Sequence, residues 1–249
     1  MGKIIAVASG KGGTGKTTTV AAVSSCVAAL GHKTLSVDFD AGLKSLDLAL
    51  CMADFTVADY MDVLDGRMSL MEACHEHPQL ENLYFLSAPQ IITEEDHDEA
   101  AARSMFQEIR DEFDYCFIDS PAGIGEGFKL AHMEADMSII VTNGELPAMR
   151  DAQRATEIIR GMGVGELRLL VNRVEPENYK RLSTTIDDVI NSVGAQLIGV
   201  IREDESVYLS LHENTPLALY KKRRAALDFL DVARRITGDS IPLRRSLRN

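Results

Sequence analysis

Near the start of the chain, the stretch Ser9-Gly10-Lys11-Gly12-Gly13-Thr14-Gly15-Lys16-Thr17-Thr18 combines glycines, lysines and hydroxyls at a spacing suited to wrapping a phosphate chain. It fits G-x-x-x-x-G-K-[ST], in which successive backbone N–H groups line a concave anion site. Gly10, Gly12, Gly13 and Gly15 let the backbone use positive φ and come close to a ligand. A helix opening at Lys16 adds the unpaired N–H groups of its first turn, Thr17 and Thr18 included, and the positive end of its dipole. Lys16 would neutralise the β- and γ-phosphates, and the Thr17 hydroxyl would sit on Mg²⁺. The ligand expected is a nucleoside triphosphate with its magnesium ion.

Three acids stand where such a site needs them. The buried-strand pattern Lys33 to Asp40 ends in two acids, Asp38 and Asp40, carboxylates that could hold metal-bound water or orient the attacking one. Tyr115-Cys116-Phe117-Ile118 leads into Asp119, the position of an acid that holds Mg²⁺ in enzymes that transfer phosphoryl groups. Ser120-Pro121-Ala122-Gly123 follows, placing the Gly123 N–H where it could sense a γ-phosphate. Leu167 to Arg173 reads as a strand ending around Asn172, whose amide offers a donor and an acceptor that match an adenine edge. His75-Glu76-His77 could also bind a metal, but nothing nearby completes a ligand set, and a structural role is the better reading.

The elements that must position these residues alternate. Strands are expected at Lys3–Ala8, 33–40, 83–88, 115–119, 137–142, 167–173 and 196–202, and helices at 16–30, 57–64, 70–75, 148–162 and 222–236. A helix capped by Thr93-Glu94-Glu95-Asp96 and another beginning at Pro176 complete the set. Such alternation implies an α/β fold, a doubly wound and mostly parallel sheet with ligands at the C-terminal ends of the strands. The length of 249 residues with no Pro- or Ser-rich linker suits one domain, taken as 1–238, followed by a basic tail at 239–249.

Net charge is −12, which argues against a surface that coats nucleic acid. The charge is unevenly spread, since residues 221–249 hold nine Lys/Arg against three Asp, a local +6 that leaves −18 elsewhere. Four scattered cysteines, none in a C-x-x-C pair, indicate a reduced cytoplasmic chain without an iron–sulfur cluster. The longest uncharged stretch, Thr17 to Gly31, is too short to span a bilayer, and no leader is expected ahead of the strand at Lys3.

The wording GKGGTGKTT resembles the deviant P-loop of the MinD/ParA family of ATPases, and the remaining motifs follow in that family's order from residue 3 to about 205. DFDAGLKSLDL, from Asp38, looks like the first switch region of the MinD branch, and DSPAGI like the second switch. The resemblance implies slow ATP hydrolysis in a homodimer that forms on ATP, with Lys11 crossing to the partner's nucleotide. It further implies that Lys16 and Lys11 neutralise developing charge, Asp40 activates water, Asp38 lies near Mg²⁺, and Asn172 reads the base. The function implied is a spatial switch for division or other cargo machinery, working with a regulatory protein partner. A ParA-type partition or flagellum- or pilus-positioning ATPase, and a metabolic enzyme that activates a carboxylate with ATP, are the alternatives. Two departures stand out: Asn143-Gly144-Glu145 replaces the usual T-P-E, and in Gln196 to Asp204, which resembles the last core strand and base-flanking loop, Arg202 replaces a common proline, a change that would loosen base selectivity. The tail Ile241-Pro242-Leu243-Arg244-Arg245-Ser246-Leu247-Arg248-Asn249 could be a reduced form of the family's amphipathic membrane helix, holding the protein peripherally on an anionic inner membrane face. A solvated basic tail is the competing reading.

Overall fold

The computed structural model describes residues 1–41, 45–53, 58–89, 98–182, 184–220 and 224–244. In chain order its elements are β1 (Lys3–Ala8), α1 (Lys16–Ala29), β2 (Thr34–Asp38), α2 (Leu46–Ala49), α3 (Tyr60–Leu64), α4 (Leu70–Ala73), β3 (His75–Glu76) and β4 (Leu83–Leu86). They continue with α5 (Glu99–Glu112), β5 (Tyr115–Asp119), α6 (Glu126–His132), β6 (Met137–Thr142), α7 (Leu146–Gly161) and β7 (Glu166–Val174). The last are α8 (Pro176–Leu182), α9 (Ile186–Val193), β8 (Gln196–Arg202), α10 (Ser206–His212) and α11 (Arg224–Ile236).

The strands form one sheet in the order β3-β4-β2-β5-β1-β6-β7-β8, parallel throughout except for the edge pair β3–β4. The period-2 alternation of the central strand sends its side chains to two covered faces. Ile5 and Val7 join α1 and α11 on one side, whereas Ile4 packs with α5 and α6 and Ala8 with α7 and α9 on the other. The small residues of α1 let it lie wedged between sheet and α11, with Val20 to Ala28 buried. Gly199 of β8 permits the same closeness, since a Cβ there would lie 2.3 Å from Val232 Cγ2 of α11.

Several expected boundaries shift. β2 stops at Asp38, and β7 runs two residues past Asn172, so that amide sits within a strand. The helix expected over 70–75 ends at Ala73, because His75 and Glu76 pair with Phe85 and Tyr84 at the sheet edge. His77 is buried, donating from Nε2 to the Leu50 carbonyl at 2.8 Å and accepting from the Gln79 N–H, which is a structural role. Among the described residues no cluster could hold a metal through three or more His, Cys, Asp or Glu side chains, and no helix is long and apolar enough to cross a membrane. The expected cap at Thr93–Asp96 lies outside the described residues; α5 begins at Glu99, with the Asp98 carboxylate accepting from the Ala100 N–H.

Candidate functional site

Parallel pairing brings the site together. Asp38 and Asp119 are register partners on β2 and β5, and Asp119 is also level with Val7 of β1, two residues before the glycine-rich loop. Both acids are buried at the C-terminal edge of the sheet. The loop then turns back over them. Gly13 and Gly15 have φ of 83° and 93°, values a side chain rarely tolerates. Gly10 is needed for a different reason, since a Cβ there would fall 2.0 Å from the backbone of Asp151 in α7. Gly15 begins α1 with no side chain capping the helix, which leaves its first-turn N–H groups facing the loop. Ser9 and Thr14 brace the curve by donating to the Lys11 carbonyl at 3.0 and 3.4 Å.

Lys16 and Thr17 converge on one carboxylate. Lys16 Nζ lies 2.6 Å from Asp119 Oδ1, and Thr17 Oγ1 donates to Oδ2 at 2.6 Å. Burial pushes the Asp119 carboxyl up, and the lysine and the threonine hydroxyl oppose that rise. Asp38 is pushed up to about 7 by burial and then by its neighbour Asp119, against two hydrogen bonds that favour its charge. Those bonds come from the N–H groups of Asp40 at 2.8 Å and Leu46 at 3.2 Å, so Asp38 also shapes the turn into α2. Two adjacent buried carboxylates, one of them paired with the Lys16 ammonium, form a donor set that suits a divalent cation.

An open cavity of about 600 Å³ begins at this point, within the range of nucleotide-sized sites. Gly12, Gly13, Gly15, Lys16, Thr17, Thr18 and Asp40 line its phosphate end, and Asn172, Arg202 and Tyr208 line the other. Asn172 donates from Nδ2 to the Thr14 carbonyl at 2.9 Å and would meet a Cβ on Gly15 at 2.1 Å, so it buttresses the loop as well as facing the cavity. Lys11 lies in the same loop, is exposed and is not among the cavity's lining residues, and among the described residues its amine has no partner. Gly123, with φ of 92°, is exposed in the loop after β5. Gly42, Leu43 and Lys44 of the first switch lie outside the described residues.

The far wall includes Ile201 to Asp204, within the stretch that resembles a base-flanking loop, but sequence reasoning missed its other residues and the partner of Arg202. Tyr208 and Leu211 belong to α10, which has no marked pattern, and Arg202 is clamped by Asp228 of α11, a partner 26 residues away. A signal for the clamp existed, since Asp228 and Asp231 interrupt the apolar stripe of an amphipathic helix and a buried acid demands a partner.

Comparison with known proteins agrees with this geometry. A family model described as an AAA domain matches residues 2–163. The septum site-determining protein MinD of Thermotoga maritima is 37% identical over 246 residues, covering 98% of this chain and 91% of the relative. The solved MinC:MinD cell division protein complex of Aquifex aeolicus superposes with a TM-score of 0.90 at 34% identity, covering 98% of both chains. MinD of Pyrococcus horikoshii, solved with Mg-ADP, superposes with a TM-score of 0.82 at 28% identity, covering 96% of this chain and 97% of that one.

Proposed function

The chain belongs to the MinD/ParA family of P-loop ATPases, and on that premise we propose that it is a MinD-type spatial switch that binds ATP with Mg²⁺, dimerises on it and hydrolyses it to release the dimer. The observation that carries this reading is the convergence of Lys16 and Thr17 on the buried Asp119, in a loop whose other lysine, Lys11, stands exposed. When bound, the metal ion would supply neutralisation of phosphate charge. Thr17, Asp119 and Asp38 would hold it. Lys16 then exchanges Asp119 for phosphate, a swap of one anionic partner for another that keeps its ammonium paired. The N–H groups of Gly12 to Thr18 take the remaining phosphate oxygens, and Gly123 offers its N–H to the terminal phosphate. Asp40 accepts a hydrogen bond from the attacking water and orients it. Asn172 is the residue for the adenine edge.

Lys11 has no partner among the described residues, and family resemblance, not a distance, supports giving its amine to the nucleotide site of a second copy. Turnover is therefore slow until a partner protein orders the dimer. The Aquifex relative was solved in complex with MinC, and a division regulator is the partner class proposed for this chain. The basic tail adds an anionic membrane surface, and the chain acts from the cytoplasm as a peripheral protein. Light scattering tests the central step. With ATP and Mg²⁺ the wild type should shift from monomer to dimer mass; Lys11→Ala should stay monomeric while still binding ATP, and Asp40→Ala should dimerise but release almost no phosphate. A Lys11→Ala variant that dimerises normally would sink the switch.

A further inference from the structure

β8 is the last strand of the sheet, and among the described residues no strand pairs with its outer side. Its sequence, Gln196-Leu197-Ile198-Gly199-Val200-Ile201-Arg202, is mostly apolar, with one charge and no proline. An uncovered edge of that kind offers its free N–H and C=O groups to any similar strand. Something has to cover it.

The chain supplies the cover from its own tail. Arg235 of α11 spends its guanidinium on three carbonyls: Nη1 donates to Ile198 at 2.9 Å, Nε to Ile241 at 2.9 Å and Nη2 to Pro242 at 3.2 Å. One planar cation therefore ties the edge strand to the tail. The next residue, Leu243, packs against the cluster that contains Val193 of α9 and Val200 of β8. α11 belongs to the other face, where Phe229, Val232 and Ile236 cluster with Ile198. A segment that touches both faces has to pass around β8, so 241–244 lie along the open edge of the sheet. Arg244 then returns to α11, its Nη2 donating to the buried Asp231 at 2.9 Å and to the Leu227 carbonyl at 3.4 Å. Among the described residues this segment adds no ninth strand to the sheet, and the side chains of Arg235, Leu243 and Arg244 hold it there.

We infer that residues 241–244 are a strap that shuts the β8 edge, and that the partner it excludes is the β8 of a second copy, paired edge to edge about a two-fold axis. A second copy is the occupant because such an edge is its own complement. Antiparallel pairing of a strand with itself matches outward N–H with outward C=O and buries the same patch on both subunits. This association needs no nucleotide.

Light scattering and amide hydrogen exchange on the full chain, in EDTA and without nucleotide, test the strap. The wild type should keep monomer mass. Leu243→Asp with Arg244→Glu changes only the tail, placing acids where the strap meets Asp228 and Asp231, and should dimerise. At low concentration the amides of 196–202 should exchange about ten-fold faster than in the wild type, and slow again as the dimer forms. Arg235→Gln, which cuts three hydrogen bonds at once, should give the same pattern. The inference is overturned if both variants stay monomeric or if the wild type dimerises equally. It is also overturned if dimers form while the 196–202 amides exchange as fast as in the open monomer, since the second copy would then sit elsewhere.

Discussion

His132 closes the last turn of α6 with its ring against Phe128, fully buried, and donates from Nδ1 to the Phe128 carbonyl at 2.7 Å. Among the described residues its Nε2 has no hydrogen-bond partner. Burial disfavours the imidazolium and holds the pKa at about 4, against an ordinary 6.5. The unfolded chain therefore binds more protons than the native one between those values. Stability is full above pH 6.5 and declines as pH falls toward 4, by about 3 kcal/mol in all. His132→Leu should flatten that limb of a urea-denaturation series across pH 4 to 7; an unchanged slope would place the acid sensitivity elsewhere. At this scale the sequence was most informative where chemistry fixes spacing. Lys16, Thr17 and Asp119 meet within hydrogen-bonding distance because a strand-loop-helix and a parallel neighbouring strand leave them no other place. What escaped it were second duties, such as Asn172 bracing Thr14 and Asp38 holding the turn to Leu46, since a side chain's type does not say how many partners it will find.

Between elements, glycines separate contact from conformation. A Cβ on Gly199 would intrude on Val232, whereas one on Gly12 would meet nothing within 4 Å at an ordinary φ. Gly199→Ala should thus force α11 off the sheet and cost about 1–3 kcal/mol. Gly12→Ala should stay within about 0.5 kcal/mol in the same urea measurement, whatever it does to ligand binding. Equal stabilities would mean that α11 gives way freely. The seven parallel strands of the sheet were legible because, covered on both faces, they read as apolar runs. α2 and α10 were not, since helices of four and seven residues owe their existence to tertiary contacts rather than to pattern. Leu46, buried at the first position of α2, is held by the Asp38 carboxylate through its N–H. α9 was readable in principle, because Thr185 and Asp188 form a capping box.

For the whole molecule the open matter is how a protein of net charge −12 would reach an anionic surface. Beyond a Debye length of about 8 Å the body's charge is screened, so attraction must come from the tail alone. Much of its first part is already committed. Arg235 donates to the carbonyls of Ile241 and Pro242, Leu243 packs against the cluster around α7 and α9, and Arg244 pairs with Asp231 at 2.7 Å. Residues 245–249 lie outside the described residues, and on the proposed membrane reading the tail's other two arginines, Arg245 and Arg248, are the ones that would meet lipid headgroups. At about 1 kcal/mol for each basic residue near such a surface, two arginines give about 2 kcal/mol in a monomer, too little to hold it. A dimer presents two tails at once and roughly doubles that figure, so binding should depend on ATP. Flotation with vesicles rich in phosphatidylserine should carry the wild type upward with ATP and leave it behind with ADP. Arg245→Ser with Arg248→Ser should abolish flotation while leaving ATP-dependent dimer mass unchanged, because Arg244 and its carboxylates are preserved. Flotation that persists in the double variant, or occurs equally on neutral vesicles, would move membrane contact to another surface and return the tail to solvent.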